Sequence, residues 1–67
     1  MFEFTVNGEA RSIERPATIS EFLTTRGIDE RIVVVEYNGV ILSRSQFAET
    51  RIGQSDNLEI VQMMAGG

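Results

Sequence analysis

The chain has 67 residues, with ten acidic and six basic side chains and neither cysteine nor histidine. This length supports one domain with a small core and leaves little room for an enclosed active site. The net charge of -4 repels phosphate, so we expect neither a nucleic-acid nor an anionic-membrane partner. The missing thiols and imidazoles remove disulfides, zinc-thiolate ligands and the commonest general base, so the composition predicts no catalytic residue, metal site or bound cofactor.

Two further absences bear on location and reactivity. The sequence has no apolar run long enough to span a bilayer and no basic start followed by an apolar segment, so we expect a cytoplasmic protein. All six basic residues are arginine. No lysine ε-amine is therefore present to accept an acyl group from another copy of the chain. The acidic balance favours a basic protein partner.

The first element is a predicted β-hairpin. Apolar side chains alternate over Phe2–Val6, Asn7-Gly8 supplies the positive φ angles of a type I′ turn, and Glu9–Ile13 returns as a second strand. Pro16 then removes a backbone donor. The returning strand is therefore expected at an edge of the sheet.

A short helix follows the hairpin. Thr18, Ser20 and Glu21 lie in a capping-box pattern that predicts a helix from about Ile19 to Arg26, and Gly27 is suited to end it in the left-handed conformation. Three apolar residues form one stripe of this helix, namely Ile19, Phe22 and Leu23. This stripe is expected to cover one face of a sheet.

A second hairpin follows the helix. Ile32–Tyr37 is the most β-branched run and reads as an interior strand, Asn38-Gly39 turns it, and Val40–Leu42 forms a short partner. Ser43 or Ser45 is expected to cap a brief helical turn containing Gln46, Phe47, Ala48 and Glu49. Phe47 is expected to plug the open edge of the core.

The final strand is predicted from Leu58 to Met63. It is placed most easily between the two hairpins, beside the first strand and parallel to it. The fold class is therefore α+β, a β-grasp with a mixed five-stranded sheet covered by one main helix. The chain, residues 1–67, is expected to be this single domain with an exposed tail.

The chain closes with a run that loses its side chains. Met63 and Met64 are flexible apolar residues suited to contact partners, and Ala65 precedes Gly66 and Gly67. A Gly-Gly pair has no Cβ, so it passes through channels too narrow for other residues and leaves a terminal carboxylate open to attack. A reactive C-terminus is the functional interpretation, and a frayed chain end is the alternative.

The sequence resembles the ubiquitin-like sulfur carriers, and in particular the ThiS family of thiamine biosynthesis. The resemblance spans the whole chain and includes the run Leu58-Glu59-Ile60-Val61. It is most specific in five features, namely the Asn38-Gly39 turn, the Arg44-Ser45 pair, Phe47, Thr50 and the closing Gly66-Gly67. Two positions depart from the family pattern. Ser43 stands where the family commonly has Pro, and Ser55 stands where it commonly has Gly; both concern turn geometry.

The resemblance implies a mechanism. A ThiF-like adenylating enzyme, related to ubiquitin activators, would use ATP to adenylate the carboxylate of Gly67. A persulfide sulfur from a cysteine desulfurase or a rhodanese-type donor would then displace AMP and leave a thiocarboxylate, which would give sulfur to thiazole synthase. The residues that would enter the partners' active sites are Met63, Met64, Ala65 and Gly66.

Three other functions remain open at this point. A carrier for molybdopterin or another sulfur-containing metabolite would share the fold and the tail. A ubiquitin-like modifier would attach its C-terminal glycine to other proteins, and conjugates in a lysate would favour it. A plain interaction module would tolerate residues added after Gly67.

Overall fold

The computed structural model describes residues 1–63. In chain order the strands are β1 (Phe2–Val6), β2 (Glu9–Ile13), β3 (Ala17–Thr18), β4 (Val33–Tyr37), β5 (Val40–Leu42), β6 (Arg51–Ile52) and β7 (Asn57–Gln62). Helix α1 (Ile19–Thr25) follows β3, and short 3₁₀ turns occupy Glu30–Ile32 and Arg44–Gln46.

Five strands form one mixed sheet in the order β2-β1-β7-β4-β5. β7 is parallel to β1, with Val6 opposite Leu58, and antiparallel to β4, with Val35 opposite Ile60. The predicted central position of the last strand and the predicted edge position of β2 are both confirmed. The strand that leads towards the chain end is thus held by a neighbour on each side.

Helix α1 begins and ends where its sequence signals lie. Thr18 Oγ1 accepts from the backbone N–H of Glu21 at 3.1 Å, and Glu21 Oε1 accepts from the N–H of Thr18 at 2.8 Å. The helix ends at Thr25, one residue earlier than predicted, and Gly27 follows with a φ of +71°. The N–H of Ile28 then donates to Leu23 O at 2.9 Å, which closes the last turn.

The core lies between α1 and one face of the sheet. It consists of nine buried side chains, Phe4, Ile19, Phe22, Leu23, Val33, Val35, Phe47, Ile52 and Leu58. Phe4 and Phe22 meet edge to face with ring centroids 5.6 Å apart, the favoured geometry for two aromatic rings. Phe47 is only 1% exposed, so its predicted role as a plug of the core is confirmed.

The connections contain features that sequence patterns did not indicate. β3 and β6 form a separate two-stranded ladder, in which Ala17 pairs with Ile52. The 3₁₀ turn after the helix is capped by Asp29, so that β4 starts at Val33 instead of Ile32. Of the two candidate caps for the second turn, Ser43 precedes it and its N–H donates to Gln46 Oε1 at 2.8 Å.

Candidate functional site

The predicted site is the end of β7 and the tail that follows it. Of its five residues the structure describes Met63, which directly follows β7 and is 50% exposed. The predictions for Met64, Ala65, Gly66 and Gly67 lie outside the described residues. Met63 is the root of that tail, and its position depends on how the sheet holds β7.

β4 holds β7 along its whole length. The register runs from Tyr37 opposite Leu58 to Val33 opposite Gln62. One further hydrogen bond extends the ladder past the strand, because the N–H of Met63 donates to Ile32 O at 2.6 Å. The root of the tail is thus fixed to the start of β4.

β1 supports β7 over a shorter stretch, and the turn after β1 extends that support. The strand pairing covers Thr5 opposite Asn57 and Val6 opposite Leu58. Beyond it, Asn7 Oδ1 accepts from the N–H of Ile60 at 2.7 Å and Asn7 Nδ2 donates to Ile60 O at 3.1 Å. The Asn7 side chain thus makes the two hydrogen bonds to Ile60 that a backbone residue would make if β1 continued.

The other Asn-Gly turn supports the start of β7 in a similar way. The N–H of Asn38 donates to Asn57 O at 2.8 Å, and Asn38 Oδ1 accepts from the N–H of Asn57 at 2.8 Å. Asn7 and Asn38 have φ angles of 52° and 50°, as their turns require. Both turns therefore have a second structural role, which is to bind β7.

Asp56 anchors the loop that leads into β7. Its carboxylate accepts from the N–H of Gly53 at 2.7 Å, from Asn38 Nδ2 at 3.1 Å and from the Tyr37 hydroxyl at 2.8 Å. Burial acts to raise the pKa of Asp56, but these hydrogen bonds outweigh it and hold the pKa below its usual value. The hydrogen bond between the Tyr37 hydroxyl and the Asp56 carboxylate, together with burial, raises the pKa of Tyr37.

The sheet face that points away from α1 presents an exposed apolar strip beside the root of the tail. Ile41 and Val61 are 67% and 60% exposed, and Val34 lies half-buried opposite Val61. Glu36 and Glu59 lie opposite each other in the register of β4 and β7. Because side chains alternate along a strand, both glutamates lie on this same face. The face therefore combines apolar area with negative charge.

The described residues bear on two kinds of feature, a metal-binding group and a membrane-spanning helix. Residues 1–63 contain no group of three or more Asp or Glu side chains placed to hold a metal ion. Within that same part of the chain, no helix is long and apolar enough to cross a membrane. Sequence reasoning missed the roles of Asn7 and Asn38. Their side-chain hydrogen bonds to β7, called clasps below, depend on the register of β7 against its neighbours. The Asn-Gly pairs themselves were the only local signal.

Together, the mixed five-stranded sheet and the helix that covers it define the class of ubiquitin-like β-grasp proteins. The ThiS family model matches residues 4–67, so the chain belongs to the ThiS family of sulfur carriers in thiamine biosynthesis. This confirms the resemblance noted in the sequence.

Solved structures give the same result. A crystal structure of the thiamine biosynthesis protein ThiS from Geobacter metallireducens is similar to this chain with a TM-score of 0.83 and 29% identity, covering 98% of this chain and all of that one. Its solution structure gives a TM-score of 0.80 at 29% identity, covering 98% of this chain and 88% of that one.

Two curated relatives differ in length. A thiazole synthase of Paramagnetospirillum magneticum (strain ATCC 700264 / AMB-1) is 35% identical over 65 residues, covering 97% of this chain, which spans only 20% of that protein's length. The uncharacterized protein ycf40 of Pyropia yezoensis is 27% identical over 62 residues, with 92% of this chain and 87% of that protein covered.

Proposed function

We propose that the chain carries sulfur as a thiocarboxylate on Gly67 for the formation of the thiazole ring. The observation that carries this proposal is that the strand leading to Gly66 and Gly67 is the central one, bound by β4 along its length and by β1 and Asn7 as far as Ile60. A carrier must present its reactive end to successive enzymes in a reproducible position. A tail that begins on a central strand meets this requirement.

The chemistry has two stages. An oxygen of the Gly67 carboxylate attacks the α-phosphorus of ATP on an adenylating enzyme, pyrophosphate leaves, and an acyl-adenylate forms. A persulfide sulfur of a cysteine desulfurase or rhodanese-type donor then attacks the acyl carbon and AMP leaves. A thiol cleaves the resulting S–S bond, so the terminal sulfur stays on Gly67. ATP belongs to the activating partner, and the carrier supplies only the carboxylate.

The surface of the sheet and the family support the proposed partners. The adenylating enzyme is proposed to contact the apolar strip of Ile41 and Val61 and to offer basic groups to Glu36 and Glu59, since unlike charges improve orientation and association rate. A protein named thiazole synthase contains a region similar to this chain, which supports thiazole synthase as the acceptor of the sulfur.

The test separates the chemistry of Gly67 from folding. The 67-residue chain, a variant lacking Gly67 and a variant with one residue added after it are incubated with ATP, the adenylating enzyme and a persulfide donor. Only the unaltered chain is expected to gain the mass of one sulfur in place of one oxygen. Deletion moves the carboxylate back by up to about 3.5 Å, and in-line attack does not tolerate such a displacement.

Stability serves as the control. The three proteins are expected to differ by no more than about 0.5 kcal/mol in the free energy of unfolding, as is typical of surface changes. If the extended protein is sulfurated as well as the unaltered chain, the proposed function is wrong.

A further inference from the structure

The edge of β7 that faces β1 is open beyond Ile60. β1 ends at Val6, and the Asn7 side chain bonds to the N–H and the C=O of Ile60. β7 nevertheless continues to Gln62. In an antiparallel ladder successive residues direct their N–H and C=O groups to opposite sides. Because Met63 donates to Ile32 on the β4 side, Gln62 directs its N–H and C=O to the β1 side.

Nothing within residues 1–63 pairs with these two groups. No hydrogen bond joins the N–H or C=O of Gln62 to another described residue outside the strand ladders, and the β4 ladder uses the odd-numbered residues of β7. A strand edge with an available donor and acceptor is the usual template for adding an extended segment of another chain. The position is also directly next to the root of the tail.

A cleft of about 240 Å³ lies along this open edge, on the helix side of the sheet. Its walls come from the β1–β2 turn, the end of α1 and the end of β7, and include Asn7, Phe22, Ile28, Ile60 and Gln62. The cleft thus lies on the helix side of the position at which β1 would continue alongside β7. A strand added at Gln62 would direct alternate side chains into it.

The charged groups of the cleft are two arginines and one glutamate. The Arg26 guanidinium lies 5.6 Å from the centre of the Phe22 ring, and no ion pair joins it to a described carboxylate. Arg11 Nη2 donates to Glu9 Oε1 at 2.9 Å, but the buried Nε of Arg11 has no hydrogen-bond partner among the described residues. The described lining therefore has a net positive charge.

We propose that the open edge at Gln62 and the cleft formed with Arg11 and Arg26 receive an extended segment of the adenylating enzyme that carries a carboxylate side chain. The segment pairs with the backbone of Gln62, and its carboxylate accepts from the two guanidinium groups. Guanidinium groups form directional, paired hydrogen bonds with carboxylates. This inference rests on the proposed function, because the enzyme that activates the tail must hold the chain next to its root.

The direct test is amide hydrogen exchange of the unaltered chain, measured by NMR with and without the adenylating enzyme and in the absence of ATP. The Gln62 amide is expected to exchange readily in the free protein and to slow by at least about tenfold in the complex. The Met63 amide, bonded to Ile32, serves as an internal reference. Unchanged exchange at Gln62 in a saturated complex would overturn the proposal.

A pair of substitutions isolates the backbone donor. Gln62→Pro removes the N–H on the edge that faces away from β4, where proline is tolerated, whereas Gln62→Ala removes the side chain and keeps the donor. Gln62→Pro is expected to raise the Kd for the adenylating enzyme about tenfold relative to Gln62→Ala. Equal Kd values for two proteins of equal melting temperature would contradict the pairing.

A second pair tests the charge. Arg26→Gln is expected to raise the Kd several-fold, whereas Arg15→Gln, an exposed arginine outside the cleft, leaves it unchanged. Inorganic phosphate is the probe for the competing occupant. If phosphate binds the cleft in the saturated complex, no carboxylate occupies it and the proposal is wrong.

The two proposals fail separately. Sulfuration of the unaltered chain together with unprotected Gln62 refutes the docking edge alone. Protection of Gln62 without sulfuration refutes the proposed chemistry and leaves the docking edge in place.

Discussion

The side chain of Asn7 satisfies both hydrogen-bonding groups of the Ile60 peptide, accepting at 2.7 Å and donating at 3.1 Å. These two residues are 53 positions apart in the chain. A residue of the first turn therefore fixes the middle of the last strand. As a consequence, β7 is bound on its β1 side past the end of β1.

This relationship predicts the effect of Asn7→Gly. Glycine keeps the positive φ of the turn, so the substitution removes the clasp with little effect on turn geometry. The loss of two exposed hydrogen bonds is expected to lower the free energy of unfolding by about 1 to 2 kcal/mol. Urea denaturation measures the loss. The substitution should also accelerate hydrogen exchange of the Ile60 amide more than that of the Met63 amide. Equal acceleration of both amides would argue against a local effect of Asn7.

Ser55 carries a backbone cost that a single substitution can remove. Its φ is +69°, in the left-handed region where side chains are disfavoured, so its departure from the family pattern has a physical effect. Ser55→Gly is expected to raise the free energy of unfolding by about 0.5 to 1 kcal/mol. Ser12→Gly, in the regular strand β2, should lower it by a similar amount. Two changes of the same sign would contradict the interpretation.

The network around Asp56 predicts how stability depends on acid. Because the folded-state pKa of Asp56 lies below the unfolded value of about 3.9, its contribution is present above that pH and is lost as the pH falls through the folded pKa. Asp56→Asn should therefore lower the melting temperature at neutral pH and flatten its fall in acid.

Asp29 is the control for the effect of Asp56 on stability in acid. Its hydrogen bond to Arg31 lowers the pKa of this exposed carboxyl to about 2. Asp29→Asn should have a smaller effect at neutral pH than Asp56→Asn, because exposed ion pairs contribute little. Equal losses in the two variants would show that the Asp56 network is not an anchor of β7.

The loss of stability at alkaline pH depends on Tyr37. Its folded-state pKa lies above the unfolded value of about 10, so its contribution is present below that pH and is lost as the pH rises through the folded pKa. Tyr37→Phe should remove this alkaline loss of stability. It should also raise the pKa of Asp56, which ¹³C NMR of the carboxyl group measures, because one of its three hydrogen bonds disappears. An unshifted Asp56 would contradict the network.

Met63 tests whether the root of the tail contacts partners. Since Met63 is half exposed, Met63→Asp should leave the melting temperature nearly unchanged and weaken binding to the adenylating enzyme, which calorimetry measures. Val40→Asp is the control, because Val40 is 61% exposed and lies on β5, away from the tail. A large fall in melting temperature for Met63→Asp would instead identify it as a core residue.

Most of the fold could be predicted because its signals are local. The Asn-Gly turns, the capping box of Thr18 and Glu21, and the alternation in Phe2–Val6 each depend on residues a few positions apart. The central place of β7 also followed, since few topologies accommodate two hairpins and a crossover helix. The family pattern added the proposed role of Gly67, which no local contact could supply.

By itself, the sequence determined β1, β2, β4, β5 and β7, the helix, the sheet order and the resemblance to the ThiS family. The tertiary structure alone decided the clasps of Asn7 and Asn38, the β3–β6 ladder and the open edge at Gln62. These features depend on which peptide groups lie opposite one another after long loops close. A shift of one residue reverses every side chain and hydrogen-bonding group of a strand, so only the assembled sheet fixes them.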